Sequence, residues 1–348
     1  MIRRDEWIPG KREGVFFDIE TTGFSPKTEQ IYLMGVLIPE DDGGRLIQWF
    51  AENAADESAL LQAILPYFRE DQPIISFNGD SFDLPFIRER CIAWGMTDHP
   101  DSITSLDLYK IIRPYKALFG LADLKQKTVE KALNIGRDDT YSGGELIKVY
   151  LSWQLTRSPA LLDLLFLHNR DDVAGLAALD PIRTVPEYFR QKPLLLSESN
   201  EETGDIRTVR LEAEVTQPAL LPWKAEGSQW KVSGEGTSIS IELEVRRENL
   251  KYFFPNYRDY EYFPEEDRAI HKSVAKFSER KVRQKATAET CYQNVSGWYF
   301  PLNGAKEPTF RTSYKDKQRK IDLAAGVMNQ PERWDEMVKA FHKKSGQP

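Results

Sequence analysis

The segment Val15-Phe16-Phe17-Asp18-Ile19-Glu20-Thr21-Thr22-Gly23 constrains this chain most. Its Phe- and Val-rich start reads as a buried strand over residues 14–19. Side chains alternate along a strand, so Asp18 and Glu20 point to the same face. Thr21, Thr22 and Gly23 then end the strand and turn the chain, which places the pair near a sheet end open to ligand. A pair of surface acids fits poorly with Val15-Phe16-Phe17 before and Ile19 between. Carboxylates in so apolar a setting are costly unless something pairs with them.

Two further segments carry acids of the same kind. Asp83 lies in Ser76-Phe77-Asn78-Gly79-Asp80-Ser81-Phe82-Asp83-Leu84-Pro85-Phe86. Asn78-Gly79 is a tight turn, and Pro85 suits the first turn of a helix. Asp83 therefore reads as an N-cap, a role compatible with also facing a metal. In Leu167-His168-Asn169-Arg170-Asp171-Asp172-Val173, His168 and Asp172 are four apart on one helix and share a face. Carboxylates suit Mg²⁺ or Mn²⁺, and two such ions about 4 Å apart drive in-line displacement at phosphorus.

The coarse pattern is a mixed sheet covered by helices. Strands are expected at 14–19, 29–39, 45–51, 73–77 and 103–108, with a hairpin turn at Asp41-Asp42-Gly43-Gly44. Helices are expected at 56–68, 82–94 and 159–179, and between 122 and 154 with breaks at Gly136 and Gly143-Gly144. This makes residues 1–182 an α/β domain. Residues 183–204 read as a linker containing Gln191-Lys192-Pro193 and Ser197-Glu198-Ser199-Asn200-Glu201-Glu202. Residues 205–348 read as a smaller, basic α+β domain of unassigned role. It has alternating strands at 207–215 and 238–246 and helices around 265–278 and 331–343.

Composition narrows the class. The chain of 348 residues is 41% apolar and 29% charged, a globular composition. Two cysteines, Cys91 and Cys291, are too few for a disulfide framework, which suggests a reduced, cytoplasmic setting. No apolar run approaches the roughly 20 residues that span a bilayer, so no membrane partner is expected. Nor does an apolar stretch of the signal-peptide kind follow the first residues. The net charge of −7 hides an asymmetry: residues 246–348 carry 21 Lys+Arg against 14 Asp+Glu, and residues 1–245 carry 26 against 40. An acidic front suits a metal site, and a basic back could supply phosphate contacts.

Taken in order, Asp18-x-Glu20, Asn78-Gly79-x-x-Phe82-Asp83-x-Pro85-Phe86 and His168-x-x-x-Asp172 resemble the DEDD exonuclease superfamily of the ribonuclease H-like fold. The second motif is similar to that of family B DNA polymerase proofreading domains and of YprB-like ribonuclease H domains. The resemblance covers roughly residues 12–180. It implies a ribonuclease H-like mixed sheet flanked by helices, and two metal ions, Mg²⁺ or Mn²⁺, held by Asp18, Glu20, Asp83 and Asp172. It also implies that Thr21, Thr22, Asn78 and Phe82 lie against the substrate. The sequence departs from the family at His168, because the branch with three residues before the final Asp normally has Tyr there. Either His168 serves as the base, or the geometry is slightly detuned.

The resulting expectation is a metal-dependent 3′–5′ exonuclease that hydrolyses phosphodiester bonds at a single-stranded DNA or RNA 3′ end. Two rivals remain: a nucleic-acid-binding or recruiting module with a weak or vestigial nuclease site, and a phosphoesterase acting on nucleotides or short oligonucleotides. Basic residues interleaved with aromatics at 251–258, with positive clusters at 278–285 and 314–320, could grip a single strand. Equally, the rings could be core and the cations a solvated face.

Overall fold

The computed structural model describes residues 1–69, 71–97, 103–141 and 143–344, with the side chains of 342–344 excepted. The chain forms two compact units, one of residues 1–116 and 120–186, the other of residues 117–119 and 187–348.

The first unit is built on a six-stranded sheet. Its strands are β1 (Ile2–Pro9), β2 (Val15–Thr21), β3 (Ile31–Glu40), β4 (Gly43–Phe50), β5 (Ile74–Ser76) and β6 (Ser105–Asp107), in the spatial order β1-β4-β3-β2-β5-β6. β1 to β4 pair antiparallel, whereas β2, β5 and β6 run parallel. Parallel strands need crossover connections, and helices supply them. The helices are α1 (Glu57–Ile64), α2 (Asp83–Ala93), α3 (Leu108–Ile112), α4 (Gln126–Ala132), α5 (Gly143–Thr156) and α6 (Pro159–Ala178).

Both sheet faces are buried. Val15, Phe17 and Ile19 pack with Leu60, Leu61 and Ile64 of α1 and Phe86 and Ile87 of α2. On the opposite face Tyr32, Leu33 and Phe50 pack with Leu146, Tyr150 and Trp153 of α5 and Leu165 and Phe166 of α6. This is the ribonuclease H-like mixed sheet flanked by helices. The expected strands and helices of this unit are all present; the strand not anticipated is β1. It lies at the sheet edge, and Arg3, Arg4, Asp5 and Glu6 on it are exposed. Charge on an edge strand deters pairing with other chains and erases the alternation that would announce it.

The segment expected as a linker, 183–204, is ordered secondary structure instead. It holds α7 (Val185–Arg190) and β7 (Leu194–Thr203), which pairs antiparallel with β8 (Ile206–Glu214). β7 is another exposed edge strand, so it too lacks an alternating pattern. The rest of the second unit is mostly antiparallel sheet: β9 (Trp223–Gly227), β10 (Trp230–Glu235), β11 (Ser238–Phe253), β12 (Tyr260–Phe263), β13 (Arg268–His271), β14 (Gln284–Lys285), β15 (Tyr292–Pro301) and β16 (Lys320–Asp322). The 16-residue β11 is its spine, pairing with β8, β10 and β15. The helix expected at 265–278 resolves into β13 and the short α8 (Lys272–Ala275); α9 (Pro331–Lys344) closes the chain as expected.

Candidate active site

Asp18 and Glu20 occupy the alternate positions of β2, opposite to the set packed on α1 and α2, and so face α6. Close approach of α6 depends on Gly35, the cross-strand partner of Asp18. A Cβ there would lie 2.3 Å from the Asn169 Oδ1 and 2.9 Å from the Val173 Cγ2. Through that gap the Asn169 side chain donates to the Asp18 Oδ2 at 3.1 Å. Gln48 fixes the Asn169 amide by donating to its Oδ1 at 2.9 Å.

Asp83 reaches the same place from the other side of β2. The turn before it has Asn78 at φ 68°, and the Asn78 N–H donates to the Asp107 Oδ1 at 2.7 Å. Asp83 is the first residue of α2, not its N-cap. Phe82 takes that position and makes no side-chain cap. The Asp83 carboxylate instead accepts from its own N–H and from the backbone N–H of Ile19, between the two acids of β2.

On α6, His168 and Asp172 do share a face. The His168 Nε2 lies 3.0 Å from the Asp172 Oδ2 and 3.5 Å from the Glu20 Oε1. The structure also brings in residues that the sequence reading passed over. The His168 Nδ1 lies 2.7 Å from the Asp139 Oδ2. The Arg137 Nη2 donates to the Asp172 Oδ1 at 2.5 Å, and its Nη1 to the Glu130 Oε2 at 2.9 Å. Asp171, which points away from the acids, accepts from the N–H groups of Asp138 and Asp139 at 2.8 Å each and so fastens this loop to α6. The signal for it was present: Arg137, Asp138 and Asp139 crowd together directly after the helix break at Gly136.

Electrostatics divides the acids into two groups. Burial, with the charges of Asp172, Glu20 and Asp83 added, pushes the Asp18 carboxyl well above the usual carboxylate range. Burial likewise lifts Glu20 to about 8, although His168 opposes it. Burial lifts Asp83 to about 7 against its backbone hydrogen bonds. These three are carboxylates without enough positive charge around them. Asp172 differs: burial would raise it, but His168 and Arg137 hold it below its ordinary value. Burial would lower His168, yet its bond to Asp172 and the charges of Glu20, Asp172 and Asp139 carry it up to about 9. An imidazole flanked by carboxylates at both nitrogens holds its proton more tightly than a free one.

The donor set suits a hard divalent cation. The Glu20 and Asp172 carboxylates lie with the His168 imidazole in a group whose ligand-type atoms are all within 4.8 Å of one another. Asp18 and Asp83 adjoin them, and oxygen-rich sites of this kind favour Mg²⁺ or Mn²⁺. Of the other expected positions, the Thr21 and Thr22 hydroxyls serve the turn, donating to the Gly23 carbonyl at 2.7 Å and the Glu29 Oε2 at 2.6 Å. Phe82 is half-buried, with its ring centroid 6.3 Å from that of Phe24, which is 86% exposed.

Residues 15–182 match the ribonuclease H superfamily model. A DNA polymerase III of the PolC type from Ureaplasma parvum serovar 3 is 31% identical, over 30% of this chain and 9% of that protein. Similar solved structures include the family B DNA polymerase of the archaeon Pyrobaculum calidifontis, with a TM-score of 0.41, 19% identity and coverage of 50% of this chain and 24% of that one. Another is the zinc-bound complex of E. coli ExoI with single-stranded DNA, with a TM-score of 0.32, 15% identity and coverage of 57% and 54%. The chain thus spans less than a tenth of the polymerase it matches in sequence. No helix among the described residues is long and apolar enough to cross a membrane. Residues 15–182, just under half of the chain, are thus similar to the ribonuclease H superfamily, and their mixed sheet flanked by helices is of the ribonuclease H-like kind.

Proposed function

We propose that the first unit is a metal-dependent 3′–5′ exonuclease acting on single-stranded DNA or RNA. The observation that carries this reading is the convergence of Asp18, Glu20 and Asp83, three carboxylates held up by burial and mutual repulsion, beside Asp172. Such a cluster opposes folding unless a cation balances it.

In this reading Asp18, Glu20, Asp83 and Asp172 hold two ions, Mg²⁺ or Mn²⁺. When bound, such ions activate water and neutralise charge developing on phosphoryl oxygens. The chain's own residues do the positioning. Asn169 aims Asp18, and the Ile19 N–H aims Asp83. His168 holds its Nε2 between the Glu20 Oε1 and the Asp172 Oδ2 and so fixes both carboxylates beside the cluster. The rings of Phe24 and Phe82 offer a surface on which a terminal base can stack, and Asn78 borders the same turn.

A labelled-end degradation assay over single- and double-stranded DNA and RNA tests the proposal. The expected result is stepwise shortening from the 3′ end of single strands, present with Mn²⁺ or Mg²⁺ and abolished by chelator. One observation favours a second reading, a binding module with a silent site: both Asp172 oxygens are already engaged, by Arg137 and His168. Absence of product from every substrate would transfer the assignment to that reading.

The acids also set a pH dependence of stability. Glu20 and Asp83, ordinarily near 4.5 and 3.8, are held up to about 8 and 7 in the folded chain. The folded state then binds their protons more tightly, so their stabilisation is full below the ordinary values and is lost as pH rises through 7 and 8. His168, raised from 6.5 to about 9, adds a loss in the same direction through pH 9. Asp172, lowered, contributes above its ordinary 3.8 and loses that contribution only on acidification. With chelator the melting temperature is expected to fall by several degrees between pH 6 and 9. With Mn²⁺ that fall should shrink, because the ion binds the deprotonated carboxylates. Equal pH profiles with and without metal would contradict metal binding at these acids.

A further inference from the structure

The second unit carries a row of like charges, none of them ion-paired among the described residues. Lys251 on β11 pairs directly with Arg311 through reciprocal backbone hydrogen bonds of 2.8 and 3.1 Å. Phe310 pairs with Lys320 in the same way, so Arg319 stands opposite Arg311 on the next strand. Directly paired residues point to the same face of a sheet, and like charges so placed repel. Phe310 and Leu250 turn inward to a buried cluster, which leaves Lys251, Arg311 and Arg319 on the opposite face, where each is half-buried. Among the described residues none of the three forms an ion pair.

Nearby carboxylates offset these cations at a distance but spend their hydrogen bonds on neutral donors. Asp267 accepts from the Tyr262 and Tyr292 hydroxyls and the Asn294 amide. Asp316 accepts from Thr312 and the Gln318 N–H, and Glu307 from both donors of Thr309. Burial and the charge of Arg319 depress Arg311, against the opposing charges of Glu307 and Asp316. Its Nε is buried without a partner.

Aromatic rings fill the spaces between these cations. The Arg311 guanidinium lies 4.7 Å from the Phe253 centroid and 5.2 Å from that of Tyr314. The Lys251 ammonium lies 3.8 Å from the Tyr292 centroid. Phe253 and Tyr292 are almost fully covered, whereas Tyr314 is 41% exposed. Rings beneath the cations hold them in place at little entropic cost.

From this arrangement we infer that the outer face of β11 in the second unit is a single-stranded nucleic-acid-binding surface. Lys251, Arg311 and Arg319 contact successive phosphates, and Tyr314 stacks on a base. The cations alone would accept any polyanion. The exposed ring beside them favours a nucleic acid over an acidic peptide, because every base presents a π-face and an acidic side chain does not. The inference rests on the proposed nuclease reading only for its relevance to substrate, since the surface belongs to a different unit.

The test is fluorescence anisotropy of the full chain with a 5′-labelled 20-nucleotide single strand in EDTA, across a salt series. The double substitution Arg311→Gln/Arg319→Gln is expected to weaken binding about tenfold or more and to make the log–log salt slope shallower by about 1.4. Tyr314→Ala is expected to weaken binding about tenfold with the slope unchanged. Melting temperatures confirm that the variants fold, and Arg311→Lys/Arg319→Lys is expected to retain the wild-type slope. Unchanged affinity and slope in the double variant overturn the inference, as does competition by polyglutamate equal to that by oligonucleotide. Cleavage of a dinucleotide separates the two proposals. Dinucleotide turnover with unaltered strand binding in the double variant sinks this inference and leaves the nuclease reading. Weakened binding with no turnover of any substrate by wild type does the reverse.

Discussion

Asp18→Asn is expected to lower phosphodiester hydrolysis by about a thousandfold or more while leaving oligonucleotide binding measurable. The substitution keeps the size of the side chain and removes its charge. Asp18 is central to the acid cluster, since Asp172, Glu20 and Asp83 all bear on its ionisation. With that charge gone, the proposed metal site loses an anionic ligand. The same charge is unfavourable to the metal-free fold, so the metal-free variant should melt no lower than wild type. Loss of turnover with unreduced stability would be hard to produce by misfolding, which gives the experiment its force. It is read by end-labelled degradation with Mn²⁺, anisotropy in EDTA and a melting curve. Near-native cleavage by the variant would sink the assignment of Asp18.

Much of this site was legible because its strongest constraints are local. Two acids at alternate positions of an apolar strand must share a face, and two residues four apart on a helix must do so too. Gly79 could be read as a tight turn, and a Cβ there would lie 2.4 Å from the Ser76 Oγ. What was not legible depends on tertiary contact. Nothing in the sequence around Gly35 says that Asn169 will lie over it, or that Gln48 on β4 will orient that amide. His168 shows the same limit. Its spacing to Asp172 was readable, and a neutral imidazole near pH 7 suggested a base. Asp139, 29 residues away, supplies the second carboxylate that tightens the imidazole's hold on its proton. The exposed edge strands β1 and β7 were missed for a different reason, since neither buries a face and neither needs an apolar alternation.

The loop carrying Arg137 gives the largest expected effect on stability. Arg137 joins Glu130, whose side chain is 1% exposed, to Asp172. Glu130 cannot move away, because α4 and α6 meet at Gly175, where a Cβ would lie 2.1 Å from the Glu130 Oε1. Its other donor is Gln126, at 2.8 Å. Arg137→Met therefore strands a buried carboxylate, and about 3–5 kcal/mol of stability should be lost. For a unit of this size that is a drop of roughly ten degrees in melting temperature. Arg137→Met/Glu130→Gln removes both charges and should recover most of that loss. Activity should not recover with it. In the double variant Asp172 keeps His168 but loses the guanidinium on its Oδ1, and losing such a supporting contact typically costs about 10- to 100-fold in metal affinity or activity. Thermal denaturation of the two variants, with a metal titration of the double one, checks both halves. A single variant as stable as wild type would mean that Glu130 has no need of Arg137. A double variant with wild-type turnover would mean that Arg137 serves the fold and leaves Asp172 indifferent.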